Sequence, residues 1–219
     1  ASGIEDVILI INPAHRNDFA SYLRGGGKKF PFRFAIREQS SPGGNGHAVV
    51  QAFDLLDGPV AIRFCDDIIV SEEPVTRSLI ELFDSVGSSA LLLERVPQEL
   101  VSRFGVIKPE KTEIPDWKGG RVMKINKIVE KPRLEDAPSN LTIVGGYVLT
   151  PRTIANLKAV ADVLPVIADD ALPIAVGIQM ELAMGSSVYG WEFDGKRLDC
   201  GTLESLKKAE EELKNLGKR

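Results

Sequence analysis

Short apolar runs alternate along the chain with stretches whose apolar positions recur every three or four residues. Residues 7–11 predict a strand and residues 14–23 a helix, before a glycine and lysine segment at 25–29 breaks the pattern. "FPFRFAIRE" predicts a second strand, and residues 46–56 suit a helix with Val49, Val50, Phe53 and Leu56 on its apolar side. "PVAIRF" predicts a strand that runs on to Asp66 and Asp67. "PVTRSLIELFDSVG" predicts a helix opened by Pro74 and stopped near Gly87, followed by a strand in "SSALLLERV". "RFGVIKP", "RVMKINKIVEKP", "LTIVGGYVLT" and "SVYGWEF" read as further strands, with helices after Pro151 and over 203–216. "LPVIADDALPIAVG" is ambiguous because Pro165 and Pro173 interrupt its apolar pattern.

This alternation predicts an α/β fold with a largely parallel sheet covered on both faces, and ligands at the carboxyl ends of its strands. A chain of 219 residues is long enough for one sizeable core, and no repeat or linker forces a boundary. Leu91, Leu92 and Leu93 belong to a core strand, and Trp191 and Phe193 share a strand face. Trp117 in its polar loop is open to a lid, an interface or simple exposure.

Composition narrows the function classes. A formal net charge of −4 argues against nucleic acid as partner and leaves small phosphorylated ligands. No apolar run is long enough to span a membrane, and the opening "ASGIEDVILI" has no signal-peptide pattern, so a cytoplasmic location is expected. The two cysteines, Cys65 and Cys200, form no disulfide framework or zinc spacing. They read as small buried thiols in preference to a redox switch.

The chemistry begins at "RFCDDIIVSEE", where two adjacent aspartates end an apolar run. They are either an ordinary turn and cap or part of a divalent-metal site. Asp199 in "KRLDCGTLESL" also stands between a short strand and a helix, and two carboxylates from distant strand ends suit Mg²⁺, whose other positions go to water and phosphate. "IVEKP" places Glu130 and Lys131 where a strand becomes a turn. A carboxylate there can accept from sugar hydroxyls and a lysine can meet phosphate, or both can be a solvent-facing charged pair. "SSPGGNGHAVVQA" joins a glycine-rich turn to a helix, with a spacing that is neither a Walker loop nor a dinucleotide fingerprint. His15 and Arg16 are read as helix-surface residues.

The ordered set "NGHAVVQA", "FCDDII", "FGVIKP", "IVEKPRLEDAPSN", "IVGGYVLTP" and "FDGKRLDCGT" resembles the bacterial UTP–glucose-1-phosphate uridylyltransferase family across nearly the whole chain. The resemblance implies a Rossmann-like nucleotide-diphospho-sugar transferase fold, a mixed sheet flanked by helices, and transfer of UMP from UTP to glucose 1-phosphate. It further implies Mg²⁺ on Asp66 and Asp199, a catalytic phosphate contact from Lys131, and sugar contacts from Glu130 and Gly145. Uracil recognition would fall to Gln39 and Gly44, with Asp67 structural. UTP with glucose 1-phosphate, or UDP-glucose, are the implied partners, and a homo-oligomer is compatible with the resemblance.

The chain departs from the family pattern in two places. It carries no "GxGTRxxPxTKxxPK" segment, so residues 1–219 are expected to form a single truncated or divergent nucleotidyltransferase domain lacking the first strand and phosphate loop. "LRGGGKK" does not reproduce that signature. At "PVIADDAL", Pro165 stands where the family has a glutamate, and Asp170 aligns with its aspartate. The competing expectations are a noncatalytic nucleotide-sugar binding or assembly protein, and a transferase for another base or sugar.

Overall fold

The computed structural model describes residues 2–25, 32–112, 114, 116–163 and 172–216. The expectations that fall on residues 26–31 and on Pro165 and Asp170 lie outside the described residues. Along the chain run β1 (Asp6–Ile11), α1 (Arg16–Gly25), β2 (Arg33–Glu38), α2 (Asn45–Val50), β3 (Val60–Arg63), β4 (Asp67–Val70) and α3 (Val75–Val86). Then come β5 (Ala90–Arg95), β6 (Gly105–Glu110), β7 (Arg121–Glu130), β8 (Leu141–Leu149), α4 (Pro151–Val163), α5 (Ile174–Ala183), β9 (Tyr189–Glu192), β10 (Lys196–Asp199) and α6 (Leu203–Leu216). The chain divides into two compact units, one of Ser2–Pro59 and Thr150–Ser186, the other of Val60–Leu149 and Ser187–Arg219. No helix among the described residues is long and apolar enough to cross a membrane.

In the first unit β1 and β2 pair in parallel, Ile8 opposite Ala35. Asn12 accepts the N–H of Ala14 at 2.9 Å and starts a single 3-10 turn before α1, so the helix begins two residues later than its apolar pattern suggests. Arg16 pairs with Glu38 at the surface. The helix expected over 46–56 is shorter, since α2 ends at Val50 and a 3-10 turn takes Phe53–Leu55. Helices α2, α4 and α5 pack on one another through small residues. A methyl group on Gly46 would sit 2.7 Å from the Leu172 carbonyl oxygen, and one on Gly177 would sit 2.7 Å from Leu157 Cγ. Asn45 accepts the Ile174 N–H at 2.7 Å, so α5 is capped by a residue far away in sequence. The buried Glu181 carboxylate accepts from the hydroxyls of Thr150 and Thr153 at the start of α4.

The second unit holds a six-stranded sheet in the order β3-β8-β5-β9-β7-β6. The expectation of a largely parallel sheet is corrected here. Among the described residues of this sheet only β5 and β9 pair in parallel, while β3–β8, β5–β8, β7–β9, β6–β7 and β6–β8 are antiparallel. Alternation of apolar runs reports burial of strands and helices, and it carries no information on strand direction, which long-range pairing decides. Strand β8 lies between β3 and β5 and all nine of its residues are buried. Helix α3 turns Leu79 and Leu82 onto Leu92, Val144, Val148, Trp191 and Phe193, each fully buried leucine stabilising by about 1.5–3 kcal/mol. It ends at Gly87, whose φ of 62° suits a residue without Cβ. Trp117 is no exposed aromatic: it is half-buried against this core, donates its indole N–H to the Ser78 carbonyl at 3.1 Å and accepts the Trp191 indole N–H at 2.9 Å.

Candidate functional site

The strand expected to run through "RFCDD" is broken in two. β3 stops at Arg63, Cys65 and Asp66 form a tight turn, and β4 restarts at Asp67. β4 then leaves the large sheet and pairs antiparallel with β10, Asp67 opposite Asp199. This two-stranded ribbon brings the distant carboxylates together. Cys200 donates its backbone N–H to the Asp66 carbonyl at 2.7 Å. A methyl group on Gly201 would touch both acids, at 3.4 Å from Asp66 Oδ2 and 3.3 Å from Asp199 Oδ1. Glycine at 201 therefore keeps the space between them open.

Asp66 is exposed at the turn tip, whereas Asp199 is half-buried and its Oδ1 accepts from the Gly201 N–H at 2.8 Å. Two carboxylates brought to one glycine are the kind of donor set that fits Mg²⁺, which takes one or two carboxylates and fills its octahedron with water and phosphate oxygens. Among the described residues no cluster of three or more His, Cys, Asp or Glu side chains is arranged to hold a metal, so protein ligands alone would not complete the shell.

Asp67 has a different environment. Its Oδ1 accepts from Arg197 Nη1 at 2.9 Å, both side chains being 12% exposed, and its Oδ2 lies against the Cα of Gly145. A Cβ at Gly145 would collide with that oxygen and come within 3.0 Å of Phe64 Cβ. Gly145 is thus required by packing under Asp67, whatever else it contacts.

Glu130 ends β7 and Lys131 follows it into a turn, and both are exposed. Lys131 takes φ of 43°, a left-handed conformation unusual for a side chain with a Cβ, and its N–H donates to the Phe104 carbonyl at 3.0 Å. Glu130 lies opposite Gly105, where a methyl group would come within 2.9 Å of Oε2 and 3.5 Å of Ile143 Cδ1. Ile143, Gly145 and Tyr147 alternate along β8, so Glu130 and Asp67 meet the same strand face. Tyr147 is buried on that face. Burial, together with the negative charges of Glu130 and Asp67, holds its phenol well above the ordinary value.

The cysteines need one correction: Cys65 is exposed and Cys200 half-buried, because the turn carrying Cys65 projects from the sheet edge. Desolvation and the carboxylates of Asp199, Asp66 and Asp67 push the Cys200 thiol pKa up, keeping it neutral.

Gln39 and Gly44 belong to the first unit and contact each other directly, Gln39 Nε2 donating to the Gly44 carbonyl at 2.9 Å. Gly44 has φ of 95° just before α2. His47 joins them, its Nδ1 2.9 Å from Gln39 Nε2 and its Nε2 3.1 Å from the Gln51 amide. Sequence reasoning missed His47, although its place three residues after Gly44 puts it on the first turn of the helix. It also missed Arg197 and Tyr147, each two strand positions from a chosen residue and therefore on the same face.

The nucleotidyl transferase family profile matches residues 1–215. The chain belongs to this family. Among curated members it is 33% identical over 169 residues to UTP–glucose-1-phosphate uridylyltransferase 2 of Staphylococcus saprophyticus, covering 77% of this chain and 54% of that protein. It is 35% identical over 164 residues to UTP–glucose-1-phosphate uridylyltransferase of Bacillus subtilis, covering 74% and 52%. The chain thus spans about half the length of the curated relatives it matches. A crystal structure of UDP-glucose pyrophosphorylase complexed with UDP-glucose superposes with a TM-score of 0.82 at 25% identity, covering all of this chain and 83% of that one. An apo structure of UDP-glucose pyrophosphorylase gives 0.80 at 24% identity, covering 98% and 82%. Family and fold agree with the expected Rossmann-like α/β architecture, a mixed sheet flanked by helices.

Proposed function

We propose that this nucleotidyl transferase chain belongs to an enzyme that transfers UMP from UTP to glucose 1-phosphate, giving UDP-glucose and pyrophosphate. The observation that carries the reading is the pair Asp66 and Asp199, held on either side of Gly201 by the β4–β10 ribbon. The names of the curated relatives favour uridylyl transfer to this sugar phosphate.

In this reaction a phosphate oxygen of glucose 1-phosphate forms a bond to the α-phosphorus of UTP while the bond from that phosphorus to the β-phosphate bridge breaks. The substrate brings its own nucleophile, so no serine, cysteine or histidine has to be activated. The residues have to collect anions and align them. Asp66 and Asp199 would hold Mg²⁺, which when bound screens the phosphate charge that otherwise repels the attacking oxygen. Lys131 presents a cation to the sugar phosphate, its left-handed backbone aiming the side chain differently from the strand before it. Glu130 accepts from sugar hydroxyls, and Gly145 leaves room for the sugar on the β8 face. Gln39 and Gly44 offer amide and backbone groups to uracil.

Calorimetric titration of UDP-glucose into the purified chain in Mg²⁺, repeated with dTDP-glucose and with EDTA, tests the reading. Preference for the uridine sugar and loss of affinity in Asp66→Asn and Asp199→Asn are expected. Equal affinity for both sugars would remove the uridylyl assignment, and binding indifferent to both substitutions would remove the metal role. Formation of UDP-glucose from UTP and glucose 1-phosphate then separates a transferase from a protein that only binds nucleotide sugars.

A further inference from the structure

Arg197 lies two residues before Asp199 on β10 and leaves the strand on the same face. Its guanidinium has three neighbours from three parts of the chain. Nε donates to Glu94 Oε2 at 2.7 Å, Nη1 donates to Asp67 Oδ1 at 2.9 Å, and Cζ lies 5.2 Å from the centre of the Phe104 ring. Each neighbour leads to a different part of the site. Asp67 directly follows Asp66 and opens β4. Phe104 stacks on the guanidinium with its ring and accepts the Lys131 N–H with its carbonyl. Glu94, on β5, anchors the group to the large sheet.

We propose that Arg197 is the positioning residue of this site, a single guanidinium that sets the Asp66–Asp199 pair and the Glu130–Lys131 turn in one common frame. The inference rests on the reading of those four residues as the binding site, and adds the element that coordinates them. Arginine suits the task because its planar fork donates in two fixed directions while its face stacks on an aromatic ring, which a lysine cannot reproduce. The guanidinium stays charged, as arginine does throughout folded proteins. That fixed charge also offsets the mutual repulsion of Asp66, Asp67, Glu94 and Asp199 in the absence of a cation. Arg63, a second arginine here, donates to the Asp67 carbonyl at 3.3 Å.

The test is residue-resolved amide hydrogen exchange on the full chain, without added metal, for Arg197→Met, Arg197→Lys and Phe104→Leu. Arg95→Met serves as a control arginine in the same unit, paired with Glu192. The Cys200 and Lys131 amides report the two parts of the site, and the Ile125 amide, bonded to the Val188 carbonyl, reports the sheet. Arg197→Met is expected to speed exchange at Cys200 and Lys131 together by about tenfold, with Ile125 and the Arg95→Met protein unchanged. Arg197→Lys should give a smaller rise at both, and Phe104→Leu a rise at Lys131 alone. A Mn²⁺ titration followed by electron paramagnetic resonance should show about tenfold weaker binding in Arg197→Met. Wild-type exchange at both amides in Arg197→Met, or a rise shared equally by Ile125, overturns the proposal. If Arg197→Met does not fold, Phe104→Leu decides: unchanged Lys131 exchange overturns it. Mn²⁺ binding that ignores Asp66→Asn and Asp199→Asn counts against the metal reading alone, because the exchange measurements need no metal.

Discussion

The Cys200 N–H donates to the Asp66 carbonyl at 2.7 Å, and this bond closes the end of the β4–β10 ribbon so that Asp66 and Asp199 flank Gly201. Neither acid could be placed beside the other by its own local sequence. The bond joins a turn tip to the start of a helix-bearing segment, and the geometry on both sides of it is tight enough to support specific predictions.

Replacing Gly145 by alanine drives a methyl group into Asp67 and Phe64, so Gly145→Ala should cost about 1–3 kcal/mol. In an Asp67→Ala background the same change should cost much less, since the colliding oxygen is gone. Chemical denaturation of the four proteins of this cycle measures the coupling, and strict additivity would contradict the packing account.

Lys131 pays for a left-handed backbone that glycine adopts freely. Lys131→Gly should raise stability by about 0.5–1 kcal/mol, the strain relieved exceeding the added unfolded-state freedom. UDP-glucose affinity should move the other way, falling at least tenfold as a phosphate contact is lost. Melting temperature and calorimetric affinity, measured on one preparation, check the opposite signs.

Tyr147 should titrate later than an ordinary phenol at 10.0. Its folded-state pKa is raised, so the stabilisation from keeping it neutral is fully present below the unfolded value and is lost as pH climbs through the folded one. Alkaline titration followed at the phenolate absorbance should show a late component that coincides with loss of the fold. Tyr147→Phe should remove that component and extend stability to higher pH, and a wild-type-like late component in the variant would assign it elsewhere.

Gly46→Ala probes the first unit. The added methyl group meets the Leu172 carbonyl oxygen at 2.7 Å and the Pro173 carbonyl carbon at 2.9 Å, backbone atoms that cannot rotate away. A loss of about 2 kcal/mol or more is expected, with faster exchange of the Ile174 amide that Asn45 caps. Differential scanning calorimetry and exchange at Ile174 give the two readings.

Much of this architecture was legible in the order of residues. The apolar spacing of α3 with Gly87 after it, the matching bounds of α6, and the strands β5 and β8 follow from periodicity and end signals that act within a few residues. The choice of Asp66, Asp199, Glu130 and Lys131 as candidates came from their residue types at strand ends and from the family resemblance of the motifs around them. Strand direction was not legible, because a buried run such as "ALLLER" looks the same in a parallel or an antiparallel neighbourhood. Nor was the break of "PVAIRFCDDIIV" into β3 and β4, where Phe64 donates to the Gly145 carbonyl and the chain turns away to meet β10.

The sequence by itself determined most of the helices and strands and which carboxylates, lysines and glycines stand at strand ends and turns. The tertiary structure alone decided that Asp67, adjacent to Asp66, pairs with Arg197 and packs on Gly145, and that the same guanidinium meets Glu94 and the Phe104 ring. The division has a physical origin. Periodicity and capping are short-range consequences of backbone geometry, whereas charge pairing and close glycine contacts depend on residues up to 130 positions apart meeting through the sheet.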